Sequence, residues 1–163
     1  MKLLTVRLSA LLLLCMLLFA GTAYAIAPIS ADAGAAILAD AKSDTILYER
    51  NSREKMYPAS TTKIMTALLV LERGSLSDIV TMEEADYAGV TSASSSAGLK
   101  VSEEVTVETL LYGLMLPSGN EAANALARYV SGSTEAFVEL MNQRAKELGC
   151  VNTHFANPNG LHD

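Results

Sequence analysis

The chain has 163 residues, half of them hydrophobic and 18% charged, which suits one domain with a proper core and excludes a disordered chain. Its formal net charge of −6 argues against general nucleic-acid binding, which depends on Lys and Arg neutralising phosphates.

Lys2 and Arg7 precede an apolar run from Leu8 to Ala20, and Ala23-Tyr24-Ala25 supplies the small residues of a cleavage site. Residues 1–25 therefore read as a secretory signal, which places the mature chain outside the cytoplasm. The apolar run is shorter than the roughly 20 residues that a hydrocarbon core of about 30 Å requires, which disfavours an uncleaved anchor. Leu12, Leu13 and Leu14 stand before Cys15, where a lipoprotein signal would have a small residue. Removal of the signal leaves Cys150 as the one cysteine, so the mature chain is expected to form no internal disulfide. Cys150 reads as buried filler rather than as a nucleophile.

Residues 26–163 read as one domain. Ala35–Ala39 and Thr45–Glu49 are strand-like runs joined by polar residues Asp40 to Asp44, a β-hairpin pattern. After Pro58-Ala59-Ser60, residues Thr61 to Arg73 carry apolar side chains on all sides, so the spacing predicts a helix in the core that stops at Gly74. Ser75 to Ser102 is polar, with Thr91 to Ser96 nearly all Ser and Thr, and reads as surface loops and short strands. Val107–Leu116 is a predicted helix ended by Pro117, and Glu121–Val130 a second, alanine-rich one. Thr134–Leu148, with Phe137, Val138, Leu140, Met141, Ala145 and Leu148 at helical spacing, is a third, stopped by Gly149. Asn157-Pro158-Asn159-Gly160 is a turn, and the hairpin is the one pair of strands that stands out.

Ser60 and Lys63 are three residues apart at the start of the first helix, so one turn sets both side chains on one face. A hydroxyl needs a base to become a nucleophile, and a lysine serves if desolvation lowers its pKa from about 10.4 towards roughly 7–8. Backbone N–H groups at the helix amino terminus would supply half an oxyanion hole. The plainer reading is an N-cap serine beside a solvated lysine. Ser118-Gly119-Asn120 lies between two predicted helices, with a second hydroxyl and an amide suited to relaying a proton and holding a substrate amide. Gly119 would let the backbone turn tightly, and the plainer reading is again an interhelical loop.

Ser60-Thr61-Thr62-Lys63 followed by Ser118-Gly119-Asn120 resembles two of the three motifs of penicillin-binding proteins and serine β-lactamases. Their flanks, Tyr57–Thr66 and Leu110–Ala123, and the phrase Phe155–Leu161 are similar to the low-molecular-weight D-alanyl-D-alanine carboxypeptidases. The resemblance covers nearly all of residues 34–163. It implies an α+β, β-lactamase/transpeptidase-like fold, an antiparallel sheet flanked by helices beside a helical subdomain. It implies that Ser60 is acylated, Lys63 is its base, Ser118 assists proton transfer and Asn120 contacts the substrate's peptide carbonyl. The substrate would be a peptidoglycan pentapeptide ending in D-Ala-D-Ala, with β-lactam antibiotics as covalent inhibitors. No metal and no cofactor is implied.

The family's third motif, Lys-Thr-Gly on a core strand, is missing, since none of the six lysines is followed by Thr-Gly. The resemblance therefore implies an amino-terminal fragment of the catalytic domain, truncated before the later core strands and inactive alone, with room for a membrane-associating segment beyond it. A β-lactamase usually carries Asp where Gly119 stands, so the glycine favours the carboxypeptidase over that alternative. A D,D-endopeptidase stays closer, and a non-catalytic wall-binding module is disfavoured by the intact Ser60 and Lys63. His154, His162 and Asp163 invite a Ser-His-Asp reading, but a turn and a chain end suit surface histidines better, and the ligand spacing of a metal site is lacking.

Overall fold

The computed structural model describes residues 29–162, so the expected signal over residues 1–25, Cys15 within it, and Asp163 lie outside the described residues. The described residues divide into two compact units, one up to Lys55 and the other from Met56.

In the first unit, β1 (Ala36–Ala39) and β2 (Ile46–Arg50) form the expected antiparallel hairpin. Its turn is organised by Asp40, whose Oδ1 accepts the N–H groups of Lys42 and Ser43 at 3.1 and 2.8 Å and the Ser43 hydroxyl at 2.9 Å. A short acceptor side chain that satisfies two backbone donors fixes a turn that would otherwise compete with other local conformers. The register runs Ala36 opposite Arg50 to Leu38 opposite Tyr48, then shifts so that Ala39 faces Ile46.

The second unit contains α1 (Lys63–Arg73), β3 (Ile79–Thr81), β4 (Glu104–Thr106), α2 (Val107–Met115), α3 (Asn120–Ser131) and α4 (Thr134–Glu147), with short 3-10 turns at Ala59–Thr62 and Glu84–Tyr87. At its centre is α3, which packs against α1, α2, α4 and the Glu84–Tyr87 turn. Every residue from Asn120 to Ala127 is buried. Alanines at 122, 123, 125 and 127 make this possible, because a side chain of one methyl lets neighbouring elements close in from several sides. Val70, Val80, Met82, Val107, Leu110 and Leu114 pack against one side of α3, and Leu69, Phe137 and Met141 gather around Ala127. Each such fully buried side chain contributes about 1.5–3 kcal/mol relative to exposure.

The expectation that the Thr61–Arg73 helix has no solvent face is corrected here. Thr66, Leu69 and Val70 point inward, but Ile64 and Leu71 are 62% and 60% exposed within the described residues. Apolar composition states what burial would favour, whereas the packed elements of this unit cover one side of α1.

A second antiparallel pair, β3 with β4, joins Ile79 to Thr106, Val80 to Val105 and Thr81 to Glu104. The sequence anticipates short strands here but not their pairing. Each strand has three residues, too few to show alternation, and the pair persists because Val80 docks into the core. Arg128 on α3 ties the following turn down, donating to Asp86 Oδ1 and Oδ2 at 2.9 Å, to Glu83 Oε1 at 2.9 Å and to the Thr81 carbonyl at 2.8 Å.

The helix ends follow local chemistry. The Thr106 hydroxyl accepts the Thr109 N–H at 3.1 Å to cap α2, and the Ser133 hydroxyl accepts the Ala136 N–H at 3.1 Å to cap α4. Cys150 is exposed, which corrects the buried-filler reading. It follows the turn that ends α4, where its own N–H returns to the Ala145 carbonyl at 2.9 Å and the chain leaves the core.

Candidate active site

Ser60 stands in the 3-10 turn that leads into α1, and Lys63 is the first residue of that helix. The plain capping reading fails, because neither Pro58 before the turn nor Thr62 before the helix makes a side-chain cap, and Ser60 faces side chains from elsewhere. The solvated-lysine reading fails as well, because Lys63 is 2% exposed. Its Nζ donates to Asn120 Oδ1 at 2.8 Å, to the Asn159 carbonyl at 2.7 Å and, more loosely, to Ser60 Oγ at 3.4 Å. An ammonium has three protons, and these acceptors match them. A neutral amine has two protons and a lone pair. The two short contacts would hold those protons and leave the lone pair aimed at Ser60.

Burial pushes the Lys63 amine below its ordinary pKa, since a charged group is penalised away from water, while the negative charge of Glu121 opposes part of that shift. Burial thus moves the amine towards the free base.

The Ser118-Gly119-Asn120 bend closes the other side. Ser118 Oγ donates to Ser60 Oγ at 2.9 Å. Tight turning falls on Ser118, with φ of +63°, and not on Gly119, whose φ of −59° suits any residue. The glycine serves space instead. A Cβ on it would lie 2.9 Å from the Ala97 Cβ and N and from the Gly113 carbonyl, closer than real carbons approach. Asn120 opens α3, 2% exposed, so the helix start fixes its amide beside Lys63.

One participant escapes sequence reasoning. The Asn157–Gly160 turn supplies a backbone carbonyl, that of Asn159, to Lys63. The turn is built from its own side chains: Asn157 Oδ1 accepts the Gly160 N–H at 2.6 Å, and Asn159 Oδ1 accepts the Leu161 N–H at 2.9 Å. It is fastened to α1 by the Thr66 hydroxyl, which donates to the Pro158 carbonyl at 2.6 Å, and to α3 by Asn159 Nδ2 donating to Asn124 Oδ1 at 3.2 Å. A carbonyl has no letter of its own, but Thr66 left a trace as the one polar residue within the apolar run Ile64–Leu71. At Gly160, φ is +83° and a Cβ would collide with the Ala59 carbonyl, so the turn presses directly on the residue before Ser60.

The four residues singled out from sequence, Ser60, Lys63, Ser118 and Asn120, are therefore brought together, and Asn159 joins them. The histidines are not. His154 is exposed, and His162 meets the ring of Tyr57 edge-on with centroids 4.5 Å apart, so the imidazole faces an aromatic ring. A cavity of about 450 Å³ is lined by residues including Asn124, Glu135, Glu139, Asn157, Asn159 and His162, and neither Ser60 nor Lys63 lines it. Ser60 is itself exposed among the described residues. A serine oxygen flanked by a buried amine and a second hydroxyl is arranged for covalent acyl transfer.

The chain is similar to proteins of known family. The family model described as Peptidase S11, D-alanyl-D-alanine carboxypeptidase, matches residues 22–163. The D-alanyl-D-alanine carboxypeptidase DacF of Bacillus subtilis is 44% identical over 136 residues, covering 80% of this chain and 34% of the relative. DacC of Escherichia coli, with the same description, is 44% identical over 157 residues, 88% of this chain and 39% of the relative. The chain thus spans little more than a third of the length of these curated relatives. Among solved structures, penicillin binding protein 5 of Haemophilus influenzae superposes with a TM-score of 0.77 at 34% identity, covering 85% of this chain and 42% of that one. A variant of the Streptomyces K15 DD-transpeptidase gives 0.79 at 36% identity, covering 83% and 56%. The fold is that of the DD-peptidases and transpeptidases.

Proposed function

Because the chain belongs to the Peptidase S11 family of D-alanyl-D-alanine carboxypeptidases, we propose that the protein carrying it removes the terminal D-alanine of peptidoglycan pentapeptides through an acyl-enzyme on Ser60. Penicillins would acylate the same oxygen. The observation that carries this reading is the setting of Ser60 Oγ, 3.4 Å from the Lys63 amine and 2.9 Å from the Ser118 hydroxyl, with the amine's other two donors held by Asn120 and Asn159.

In the proposed reaction, neutral Lys63 takes the Ser60 proton as Oγ bonds to the carbonyl carbon of the penultimate D-Ala. The carbon–nitrogen bond then breaks, the proton passes through Lys63 and Ser118 to the leaving amine, and free D-alanine departs. Water hydrolyses the ester and restores the Ser60 hydroxyl. With Oδ1 committed to Lys63, the amide nitrogen of Asn120 is the group left to donate to a substrate carbonyl. Export to the cell-wall side of the membrane belongs to the same proposal, supported by the signal-like residues 1–25.

Gly119 argues against the β-lactamase alternative, since Ala97 and Gly113 fill the space that an aspartate Cβ would need there. The test is labelling of the full-length protein with a fluorescent penicillin, together with D-alanine release from a pentapeptide. The label should disappear in Ser60→Ala, and Lys63→Ala should slow it by about 10²–10⁴-fold. A label that persists on Ser60→Ala would refute the assignment.

A further inference from the structure

Glu121 is the next residue of α3 after Asn120, and it is 0% exposed. An acidic residue in the first turn of a helix ordinarily sits in solvent, where it complements the helix dipole. Here a single oxygen, Oε1, accepts from the Ala97 N–H at 2.6 Å, the Ser96 hydroxyl at 2.7 Å and the Gly98 N–H at 3.0 Å. Oε2 is buried too and has no hydrogen-bond partner among the described residues. Burying a carboxylate with one oxygen unsatisfied is unfavourable, so the arrangement calls for a reason beyond packing.

The segment it grips is the wall of the catalytic bend. The Ser95 carbonyl accepts the Asn120 N–H at 3.1 Å, and Ala97 occupies the space beside Gly113 and Gly119. The bend itself carries Ser118 in a left-handed backbone, a conformation that a non-glycine residue holds only when its surroundings impose it. We infer that Glu121 is a positioning residue, whose carboxylate clamps Ser95–Gly98 against the Ser118-Gly119-Asn120 bend. The Ser/Thr-rich stretch that reads from sequence as a surface loop thus ends in a structural part of the site.

The charge matters because of what else faces Lys63. The Ala59–Thr62 turn offers Ser60, the Asn157–Gly160 turn offers the Asn159 carbonyl, and α3 offers Asn120, with Glu121 the next residue of the helix. Of these Glu121 alone is charged, and it favours the protonated amine. Removing that charge while keeping the clamp should therefore let Lys63 act as a base at lower pH.

This role rests on the acyl-transfer reading, and the experiment separates the two. The acylation rate by benzylpenicillin is measured against pH for the full-length parent, Glu121→Gln, Glu121→Ala and Ser96→Ala. The glutamine keeps an oxygen for the three donors, so it should retain most of the plateau rate and shift the acid limb to lower pH. The alanine releases the clamp and should lose about 10- to 100-fold, a cost typical of small misplacements around a reacting group. Ser96→Ala removes one donor and should lose less. A parent that is not acylated on Ser60 overturns both readings. If the parent is acylated but Glu121→Gln keeps the parent's acid limb and Ser96→Ala keeps the parent's rate, the role of Glu121 alone is overturned, since a merely structural carboxylate would alter stability and leave both fixed. That criterion holds even if Glu121→Ala fails to fold.

Discussion

Substituting Gly160 by alanine asks whether the Asn157–Gly160 turn is a working part of the site or a passive surface turn. Gly160 has a φ of +83°, and a Cβ added there would run into the Ala59 carbonyl and come within 3.0 Å of Thr62 Oγ1. The left-handed backbone alone costs alanine about 1–2 kcal/mol, and forcing atoms into a filled site adds about 1–3 kcal/mol. Gly132, with φ of +80° and nothing within 4 Å of its added Cβ, isolates the first contribution. Gly132→Ala should therefore lose about 1–2 kcal/mol, and Gly160→Ala about 2–5 kcal/mol. The collision sits between the residue before Ser60 and the residue after the Asn159 carbonyl. Relief must therefore move one partner of Lys63, and penicillin acylation should slow by about 100-fold in Gly160→Ala while remaining near the parent rate in Gly132→Ala. Denaturant unfolding and labelling kinetics, run on the full-length protein, measure both. Equal stability losses in the two variants, with equal labelling rates, would refute the reasoning.

The Lys63 amine should also set a pH dependence. Its ordinary value is 10.5, and burial holds it lower in the fold, so acylation should rise with pH through that lowered value as the free base appears. The sign for stability follows by linkage. Between the folded value and 10.5 the unfolded chain binds more protons, so the Lys63 contribution to unfolding free energy increases with pH across that window. Its penalty is fully present below the window and gone above it. Lys63→Met should flatten this slope in denaturant titrations taken at several pH values, and an unchanged slope would count against a desolvated amine. A third expectation concerns the frame: Arg128→Met leaves Asp86, which is 1% exposed, without its cation. A loss of about 3–5 kcal/mol is expected, the usual result of orphaning one member of a buried pair. Adding Asp86→Asn should recover part of it, and a double variant no better than the single would contradict that account.

Much of the site is visible in the sequence because its chemistry is written in side chains at short spacing. Ser60 and Lys63 stand one helical turn apart and Ser118 and Asn120 on a punctuated bend between helices; each pattern alone also suits a cap or a loop, and the resemblance of the two in order to a known family singles them out. What stays hidden depends on partners distant in the chain. The Asn159 carbonyl belongs to the backbone, and Glu121 looks like an ordinary first-turn acid until residues 96–98 are folded onto it. Helix boundaries are legible to within a residue or two because Gly74, Pro117 and Gly149 carry local signals. The central element was not. An alanine-rich helix has little apolar area per residue, so α1 looked like the core, yet small side chains are what allow α3 to be surrounded. The pairing of β3 with β4 is likewise a long-range fact that three-residue strands cannot announce.

Among the described residues, five that are not glycine hold left-handed backbone, and two of them, Ala59 and Ser118, lie directly beside the proposed chemistry. Asp44 and Asn51 are residue types that tolerate this conformation through local hydrogen bonding, whereas an alanine has no such means. The strain at Ala59 must be imposed from outside, and the imposing surface is Gly160, whose missing side chain lets its backbone lie against the Ala59 carbonyl. At Ser118 the adjoining glycine does the equivalent, admitting Ala97 and the Gly113 carbonyl to contact distance. Both strained segments are thus held where a neighbour is pressed into the space of an absent side chain, and both neighbours are themselves anchored, one by Thr66 and Asn124, the other by Glu121. The positions of the Ser60 and Ser118 hydroxyls are therefore set by those anchors more than by local conformational preference, which is why substitutions at residues that never touch a substrate should alter the acylation rate.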